Sequence, residues 1–350
     1  MTIRESIETL GQGRHLSSAE AQELMEALLS GRTRDDEIVA LLTALKEQGE
    51  TAEELVGFAS VMRARAREVL SDAGIDFTSL HQPGPLLDTC GTGGDHGGTF
   101  NVSTATALVA AAAGARVAKH GNRSISSRCG SADVLEALGV VIDLPLARIP
   151  QCLEETGFVF LFAPHLHLAM KHVMGARRSM KTKTIFNLLG PLTNPLGATA
   201  QLTGIYDRGR TEMMARALAA VGTRRALVVT SHDGLDEISI SAPTQMSEAH
   251  EGELRTRNVA PEDFGLIRYP AGAIAGGDAQ ANARTLVGIL EGERGPYRHS
   301  VLANASAALV VAGVASDFLD GVERAAEAID SGEAGRKLNQ LVQFSRNHRR

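Results

Sequence analysis

Apolar residues recur at helical spacing between residues 16 and 67, a pattern that predicts three helices. Each predicted start has a hydroxyl residue with an acid three positions later: Ser17 and Glu20, Thr33 and Asp36, and Thr51 and Glu54. The first and third pairs are capping boxes, in which side chains satisfy free backbone amides. Gly31 and Gly49 follow the first two apolar runs, where helices favour a left-handed glycine. The segment predicts an all-helical domain, residues 1–72.

Beyond a turn-rich stretch at residues 71–85, short apolar runs of strand length alternate with helical patterns. The strand-like runs lie at residues 86–88, 116–118, 140–142, 158–162, 202–206 and 226–230. The helical patterns lie at residues 103–113, 132–138, 281–291, 301–312 and 321–331. This alternation predicts an α/β domain, residues 73–350, with a mainly parallel central sheet flanked by helices. We expect a hinge between the two domains near residues 70–85.

The length, composition and charge of the chain exclude several functional classes of protein. The chain has 350 residues, 43% hydrophobic content and a net charge of -6, so it is globular and lacks the basic face of a general nucleic-acid binder. No apolar run reaches the roughly 18 residues of a membrane span, and the charged N-terminus does not resemble a signal peptide. These features predict a cytoplasmic protein without a membrane partner. Its three widely spaced cysteines predict reduced thiols.

Two stretches, residues 96–132 and 156–206, contain no Asp or Glu although the chain is acidic. The basic residues within them include Lys119, Arg123, Arg128, Lys171, Arg177, Arg178, Lys181 and Lys183. Local positive charge in an acidic chain indicates a receptor for a small polyanion.

A glycine-rich loop, residues 91–95, lies between a predicted strand and a predicted helix. This arrangement points backbone N–H groups at a phosphate. The loop is neither a P-loop, because no Gly-Lys-Ser/Thr follows, nor a dinucleotide fingerprint, because His96 stands at the third glycine position. The loop alone leaves a plain tight turn equally open.

The neighbouring segments favour the phosphate interpretation. Residues 101–104 bring amide and hydroxyl groups to a helix start, where they either cap the helix or bind phosphate. Residues 119–127 end the next strand, at the sheet edge where ligands of α/β proteins collect. The helix that begins at residues 130–133 predicts a second anion site.

Asp236 and Glu237 are adjacent acids that follow a predicted strand. Alone they indicate an exposed acidic turn, but beside a polyphosphate loop they favour Mg²⁺, which is held by carboxylates and substrate phosphates. Arg177 offers a planar fork that suits a carboxylate, whereas Arg178 fits a solvated helix face. The histidines of residues 165–172 lack a metal-ligand pattern and favour aromatic lining or a helix surface.

Five ordered motifs resemble the anthranilate phosphoribosyltransferase family over essentially the whole chain. They are Asp88-Thr89-Cys90-Gly91-Thr92-Gly93-Gly94-Asp95, Lys119-His120-Gly121-Asn122-Arg123, Gly130-Ser131-Ala132-Asp133, residues 184–195 and residues 233–239. The resemblance implies Mg²⁺-dependent transfer of phosphoribose from 5-phosphoribosyl 1-pyrophosphate to the amine of anthranilate in tryptophan biosynthesis. It also implies two Mg²⁺ ions, a homodimer through the helical domain, and helices near residues 164–190 that join that domain.

The resemblance also implies the site residues, with Lys119 and Arg177 in catalysis. The phosphoribosyl pyrophosphate set is Gly91, Gly94, Asp95, Thr99, Asn101, Val102, Ser103, Thr104, Lys119, His120, Gly121, Asn122, Arg123, Ser124, Ile125, Ser126, Ser127 and Ser131. The anthranilate set is Gly91, Asn122, His167, Arg177 and Pro191. The Mg²⁺ set is Ser103, Asp236 and Glu237. Departures from the family pattern are Thr89 and Cys90 before the glycine loop, His96 at a small-residue position, and Leu168 where proline is common.

Two alternatives stay open at this point. The pyrimidine nucleoside phosphorylases share the fold, but the Lys119–Arg123 run and Arg177 argue against phosphorolysis of a nucleoside. A non-catalytic relative that binds nucleic acid is disfavoured by the acidic sequence pI near 6.0.

Overall fold

The computed structural model describes residues 2–80, 84–93, 98–124 and 128–349. The strands are β1 (Leu86–Gly91), β2 (Arg116–Gly121), β3 (Phe158–Phe162), β4 (Ala200–Gly204), β5 (Arg225–Ser231), β6 (Thr244–His250) and β7 (Glu253–Val259). The helices are α1 (Ile3–Gly11), α2 (Ser18–Leu29), α3 (Asp35–Gln48), α4 (Ala52–Asp72), α5 (Phe77–Leu80), α6 (Val102–Ala112), α7 (Ser131–Ala137), α8 (Ile149–Thr156), α9 (Ala163–Leu166), α10 (Met174–Met180), α11 (Phe186–Leu189), α12 (Thr211–Ala220), α13 (Ala279–Leu290), α14 (Pro296–Val311), α15 (Phe318–Asp330) and α16 (Glu333–Asn347).

The central sheet has the order β3-β2-β1-β4-β5-β6-β7. The first five strands are parallel, and β6 and β7 are antiparallel to their neighbours. The predicted mainly parallel sheet is therefore confirmed, although β4 begins two residues before the predicted run. The β6–β7 hairpin was not predicted. Its two-residue turn, Glu251 and Gly252, has positive φ at both positions, as tight hairpins of this kind require.

The predicted strand at residues 140–142 is wrong. The backbone N–H of Val140 donates to the Leu135 carbonyl at 3.0 Å, closing the end of α7. The next amide, from Val141, donates to the Ser345 hydroxyl on α16 at 3.0 Å. Because these amides are bonded to a helix end and a side chain, the segment forms no ladder with the sheet.

The helical N-terminal part follows the predicted capping chemistry, with one more helix than expected. Reciprocal capping boxes are present at three pairs: Thr2 and Glu5, Ser17 and Glu20, and Thr51 and Glu54. The first of these starts α1, which the sequence pattern missed. The predicted start at Thr33 is wrong by one residue, because Arg34 is the N-cap and its backbone N–H donates to Glu37.

Two apolar cores lie on opposite faces of the sheet. One joins the sheet to α6, α13, α14, α15 and α16. The other fills the space among α2, α3 and α4 and continues through residues 173–192 to α12 and β5. The guanidinium of Arg63 on α4 donates to the Val221 carbonyl at the end of α12, at 2.8 Å. The helical part therefore packs against α12, which in turn packs on β5 and β6, and the division at residue 72 stays a prediction.

The predicted hinge region contains the end of α4 and α5, while residues 81–83 lie outside the described part. Within that part, no helix combines the length and apolarity that crossing a bilayer requires.

Candidate active site

The carboxyl ends of β1 and β4 form the centre of the site. These strands are neighbours in the sheet, and their last residues, Gly91 and Gly204, lie side by side. The chain order reverses here, since β2 and β3 lie on one side of β1 and β5 on the other side of β4. Ligands of open α/β sheets bind in the crevice at such a switch point.

The glycine loop lies directly against the acidic loop that follows β5. The Gly93 N–H donates to Asp236 Oδ2 at 3.0 Å, and the Thr92 N–H donates to the Gly204 carbonyl at 2.9 Å. A Cβ added at Gly91 would lie 2.8 Å from Asp236 Oδ2, and one at Gly204 would overlap the Asp236 carbonyl. Both glycines are therefore required for the two loops to meet.

The acidic loop is held from behind by Asn304 on α14. The Asn304 side-chain amide donates to the Ile238 carbonyl at 3.0 Å, and its oxygen accepts the Ile238 N–H at 3.0 Å. Asp233 accepts hydrogen bonds from the hydroxyls of Ser231 and Ser239. These contacts fix the loop that carries the buried Asp236 and the half-buried Glu237.

Lys119 is buried below this loop, with 1% of its surface exposed. Its Nζ donates to the Thr89 carbonyl and, at 3.2 Å, to the Ser103 hydroxyl. Burial lowers the pKa of Lys119, and electrostatic interaction with Asp88 and Glu237 opposes that shift. Three residues from separate predicted motifs, Ser103, Lys119 and Glu237, thus come together.

The start of α6 differs from the capping interpretation. Asn101 is the N-cap, but its side chain makes no cap bond; it donates to the Cys129 carbonyl at 3.1 Å and accepts from Asn282 at 2.9 Å. Thr104 is fully buried, and its hydroxyl has no hydrogen-bond partner among the described residues. Val102 is also buried. Of the four residues 101–104, only Ser103 thus brings a side-chain oxygen to Lys119.

One further predicted position, Thr99, lies on the return of the loop. Thr99 forms a β-bridge with Ala275, and the neighbouring Phe100 N–H donates to the Ile274 carbonyl at 3.3 Å. Between Gly93 and Gly98, the predicted residues Gly94 and Asp95 and the neighbouring His96 lie outside the described residues.

The predicted second anion site at the start of α7 is already filled by the Asp133 side chain. Asp133 Oδ2 accepts the N–H groups of Ser124 at 3.0 Å and Gly130 at 2.9 Å. The Arg123 guanidinium pairs with Asp133 and with both carboxylate oxygens of Glu136. These donors of the loop are therefore committed to acids of α7.

The same loop is closed by tight backbone contacts. The Asn122 carbonyl accepts the Ala132 N–H at 3.2 Å and the Ser131 hydroxyl at 3.3 Å. A side chain at Gly121 would overlap the Ser131 hydroxyl. The predicted residues Ile125, Ser126 and Ser127 lie outside the described residues.

Two histidines from distant parts of the chain meet beside β2. The rings of His120 and His167 lie 5.1 Å apart, centroid to centroid, in an edge-to-face arrangement. The Gly190 and Thr193 backbones lie beside the His120 and His167 rings respectively, and each Nε2 is buried without a partner among the described residues. Burial is the main cause that lowers the pKa of His120 to about 3 and of His167 to about 4. Both imidazoles are therefore neutral at physiological pH.

Arg177 lies on α10 with its guanidinium over the Phe186 ring, 4.9 Å from the centroid. Its Nη1 contacts Met174 Sδ at 3.8 Å, and no described carboxylate lies within ion-pair distance. Burial lowers the pKa of Arg177, yet no titration near neutral pH follows because arginine remains protonated. Arg178 is exposed. The half-buried Arg177 therefore has its charge available for a ligand carboxylate.

Several supporting residues were missed by sequence reasoning. They are buried amides that act across long sequence separations: Asn194, Gln201 and Asn304. Lys183 was named only as one of the basic residues of an acid-free stretch. Lys183 Nζ lies 3.4 Å from the ring centroid of Tyr206, just beyond β4. A polar Asn304 inside an otherwise apolar helix was a usable signal, because a buried amide needs specific partners.

All three cysteines are free thiols, as predicted. Cys90 lies on β1, immediately before the glycine loop, and its sulfur accepts from the Gln201 side chain at 3.3 Å. Among the described residues, no group of three His, Cys, Asp or Glu side chains forms a ready metal centre. A cation at Asp236 and Glu237 would therefore need further oxygen ligands from a bound molecule.

Two family models match the chain and together define its class. Residues 4–66 match the helical bundle domain of a glycosyl transferase family, and residues 83–335 match the a/b domain of that family. A glycosyl transferase with an N-terminal helical bundle agrees with the architecture described above.

Relatives over the full length give the particular family. The chain is 50% identical to anthranilate phosphoribosyltransferase from Myxococcus xanthus over 98% of this chain and 99% of the relative, and 47% identical to that from Pelotomaculum thermopropionicum over 99% and 97%. The Thermus thermophilus crystal structure matches with a TM-score of 0.87 and 40% identity over 97% and 99% of the two chains. The Saccharomyces cerevisiae enzyme, in complex with PRPP and Mg, matches with a TM-score of 0.85 and 26% identity over 99% and 98%. The chain belongs to the anthranilate phosphoribosyltransferase family.

Proposed function

We propose that this chain transfers phosphoribose from 5-phosphoribosyl 1-pyrophosphate to the amino group of anthranilate, releasing pyrophosphate in tryptophan biosynthesis. The observation that carries this proposal is the switch point of the sheet. There the glycine loop, Lys119 and the Asp236–Glu237 loop lie together, close to the ends of β1 and β2. His120 extends the site from β2 toward His167 and the turn that precedes β4.

The phosphoribosyl pyrophosphate side is formed by the ends of β1 and β2. The glycine loop supplies backbone N–H groups, which suit phosphate oxygens. Lys119 supplies a positive charge held in place by Thr89 and Ser103. In this proposal Arg123 contributes through its ordered loop, since its guanidinium is paired with Asp133 and Glu136. For the remaining residues of the predicted set, a role in binding phosphoribosyl pyrophosphate stays a proposal.

The residues present fit Mg²⁺. Ser103, Asp236 and Glu237 offer hard oxygen atoms, and the acidic loop lies at the crevice where a diphosphate would enter. We propose two ions, shared between these residues and the diphosphate. When bound, Mg²⁺ supplies charge neutralisation on the leaving pyrophosphate.

The acceptor side is formed by neutral and aromatic groups around one cation. Arg177 is proposed to pair with the anthranilate carboxylate, because its planar fork matches a carboxylate and has no described acid partner. His167, Pro191, Asn122 and Gly91 are proposed to line the aromatic ring and the path to the ribose carbon.

In the proposed reaction, the amine nitrogen forms a bond to the ribose C1 as the bond from C1 to the pyrophosphate oxygen breaks. Positive charge develops on the ribose ring and negative charge on the pyrophosphate. Lys119 and the loop amides stabilise the negative charge, the kind of interaction whose loss costs roughly 3 kcal/mol. Because anthranilate carries a neutral amine nucleophile, its orientation by Arg177 contributes more than a strong base.

Three further points complete the proposal. Closure of the helical part over the crevice would exclude water and limit hydrolysis. Dimerisation through the helical part and a cytoplasmic location are proposed from the family resemblance. Equal solution-scattering dimensions with and without both substrates would remove the support for closure.

The decisive experiment follows anthranilate fluorescence with time, with Mg²⁺ and phosphoribosyl pyrophosphate present and with each left out in turn. We expect anthranilate to be consumed only in the complete mixture. Absence of consumption under all conditions, with phosphate-dependent cleavage of thymidine or uridine instead, would replace this proposal with nucleoside phosphorolysis.

A further inference from the structure

The turn Gly190–Thr193 lies beside both imidazoles of the proposed acceptor side. The Gly190 backbone opposes the fall in the pKa of His120 and the Thr193 backbone opposes that of His167, so a shift of this turn changes the surroundings of both rings. The two rings come from β2 and from the segment after α9, which are far apart in sequence. Whatever holds the turn therefore determines the shape of the acceptor side.

Asn194, directly after the turn, joins it to the interior of the sheet. Its side-chain N–H group donates to Asp88 Oδ2 and to the Ala118 carbonyl, both at 2.9 Å. Its side-chain oxygen accepts the Leu196 N–H at 3.1 Å. The Asn194 side-chain amide thus bonds one residue on β1, one on β2 and one two positions further along its own segment.

Asp88 completes this connection. Its side chain is fully buried on β1, and Oδ1 accepts the backbone N–H of His120 at 3.2 Å. The Asp88 carboxylate therefore bonds the His120 backbone directly. Through Asn194 it is also connected to the Gly190–Thr193 turn. Burying a carboxylate costs free energy unless the carboxylate is fully hydrogen-bonded. Close packing alone therefore does not explain why an aspartate occupies position 88.

Lys119 makes no hydrogen bond to Asp88 or Asn194, because its Nζ donates to Thr89 and Ser103, and its link to this connection is the electrostatic interaction with the Asp88 carboxylate. A change in the bond between Asp88 and Asn194 should then move the acceptor side more than the phosphoribosyl pyrophosphate side. We propose that Asp88 and Asn194 are positioning residues for the acceptor amine, acting through His120 and the Gly190–Thr193 turn. This proposal rests on the proposed function.

The test is the Asp88→Asn variant, which keeps the shape of the side chain. If its new amide group faces the amide of Asn194, two donors meet and the bond is lost. We expect the KM for anthranilate to rise about tenfold or more, while the KM for phosphoribosyl pyrophosphate stays within about twofold. A rise of both constants by the same factor would overturn the proposal.

A second-site change sharpens the test. In Asn194→Asp, two carboxylates face each other, and in the double variant with Asp88→Asn a donor again faces an acceptor. We expect the double variant to recover part of the anthranilate KM relative to the two single variants. Additive single effects would contradict a direct role of this bond. If Asp88→Asn shows no cooperative melting, Asn194→Ala removes the same bond and carries the same expectation.

The matched control is Asp330→Asn. Asp330 is hydrogen-bonded to the buried Arg298 through both oxygens at 2.8 Å, on α14 and α15 outside the described site. We expect this variant to lower the melting temperature without changing either KM. Wild-type protein that consumes no anthranilate would overturn both proposals. Active wild type whose anthranilate KM rises in Arg177→Ala but not in Asp88→Asn would overturn only this one.

Discussion

The two sides of the site are built by different means. On the side proposed for phosphoribosyl pyrophosphate, the Gly93 N–H after β1 donates to the Asp236 carboxylate, and one buried cation, Lys119, bonds a backbone carbonyl. On the side proposed for the acceptor, the neutral imidazoles of His120 and His167 meet from β2 and the segment after α9, and Arg177 on α10 lies over the Phe186 ring. The first side depends on strand register, whereas the second depends on how a separate segment packs.

This difference indicates which structural changes each side of the site should tolerate poorly. The strand ends tolerate no added atom where glycines touch the acidic loop, because backbone cannot move away cheaply. Part of the proposed acceptor side, including Arg177 and Pro191, lies on residues 173–192, which contribute to the same apolar core as α2, α3 and α4. Substrate choice should therefore respond to changes in the helical part, while phosphate binding should not.

The largest effect is expected for Gly204→Ala. The added Cβ would overlap the Asp236 carbonyl, so the acidic loop must move or the strands must part. We expect a loss of at least about 3 kcal/mol in unfolding free energy and no measurable transfer. Urea unfolding and the anthranilate assay measure the two effects. The control Gly11→Ala adds a Cβ with nothing within 4 Å, and unchanged behaviour of both variants would show that the contact is not tight.

Lys119→Met tests the cation on the first side. Methionine fills similar space without charge, so we expect kcat/KM to fall roughly 100-fold, corresponding to about 3 kcal/mol. We also expect the melting temperature to fall, because the buried Asp88 carboxylate loses the nearby positive charge that opposes the rise in its pKa. Steady-state kinetics with each substrate varied, together with calorimetry, give both values. Activity close to wild type would remove Lys119 from the catalytic residues.

Arg177→Ala tests the acceptor side. Loss of a charge-assisted pair with the carboxylate should raise the KM for anthranilate at least about tenfold, with phosphoribosyl pyrophosphate binding unchanged. Titration calorimetry and kinetics measure the two substrates separately. Arg178→Ala, at an exposed neighbour, is the matched control and should leave both constants unchanged. Equal losses for both substrates would mean that Arg177 does not belong to the acceptor side.

The smallest expected effect is the pH dependence of the unfolding free energy. The pKa values of His120 and His167 are lowered to about 3 and about 4, so the unfolded chain binds protons below about pH 6.5 that the native protein does not. Their contribution to stability is therefore fully present above about pH 6.5 and is lost as pH falls, by at most about 1.4 kcal/mol per pH unit for each group.

Urea midpoints measured between pH 7 and pH 5 check this expectation. The double variant His120→Asn with His167→Asn should show a flatter dependence than wild type. The exposed His232, changed to Asn, serves as control and should retain the wild-type slope. An unchanged slope in the double variant would contradict the neutral buried pair.

Local patterns predicted the parts of the molecule that local chemistry determines. The capping boxes at Ser17 and Thr51 and most of the parallel strands are confirmed, because each depends on nearby residues. The strand at residues 140–142 failed, since the Ser345 hydroxyl, about two hundred positions away along the chain, takes the amide of Val141. The Glu251–Gly252 turn was missed because glutamate is not a usual hairpin residue.

The site shows the same division. Glycines after a strand and cations in an acid-free stretch identified Gly91, Lys119 and Arg177 as candidates from the sequence alone. The sequence did not reveal that Arg123 is paired with Glu136 or that Thr104 faces the interior. Both depend on which helix packs against the loop, and that contact is made only in the folded chain.

The three thiols also bear on the chemical durability of the protein. Burial raises the pKa of Cys129 to about 11 and of Cys152 to about 12, and holds that of Cys90 well above its ordinary value. Because the thiolate is the form that reacts with oxidants and alkylating reagents, almost none is present at neutral pH. Although Cys90 adjoins the glycine loop, we expect iodoacetamide or peroxide to inactivate the folded protein only slowly, so purification in air without reductant should preserve it.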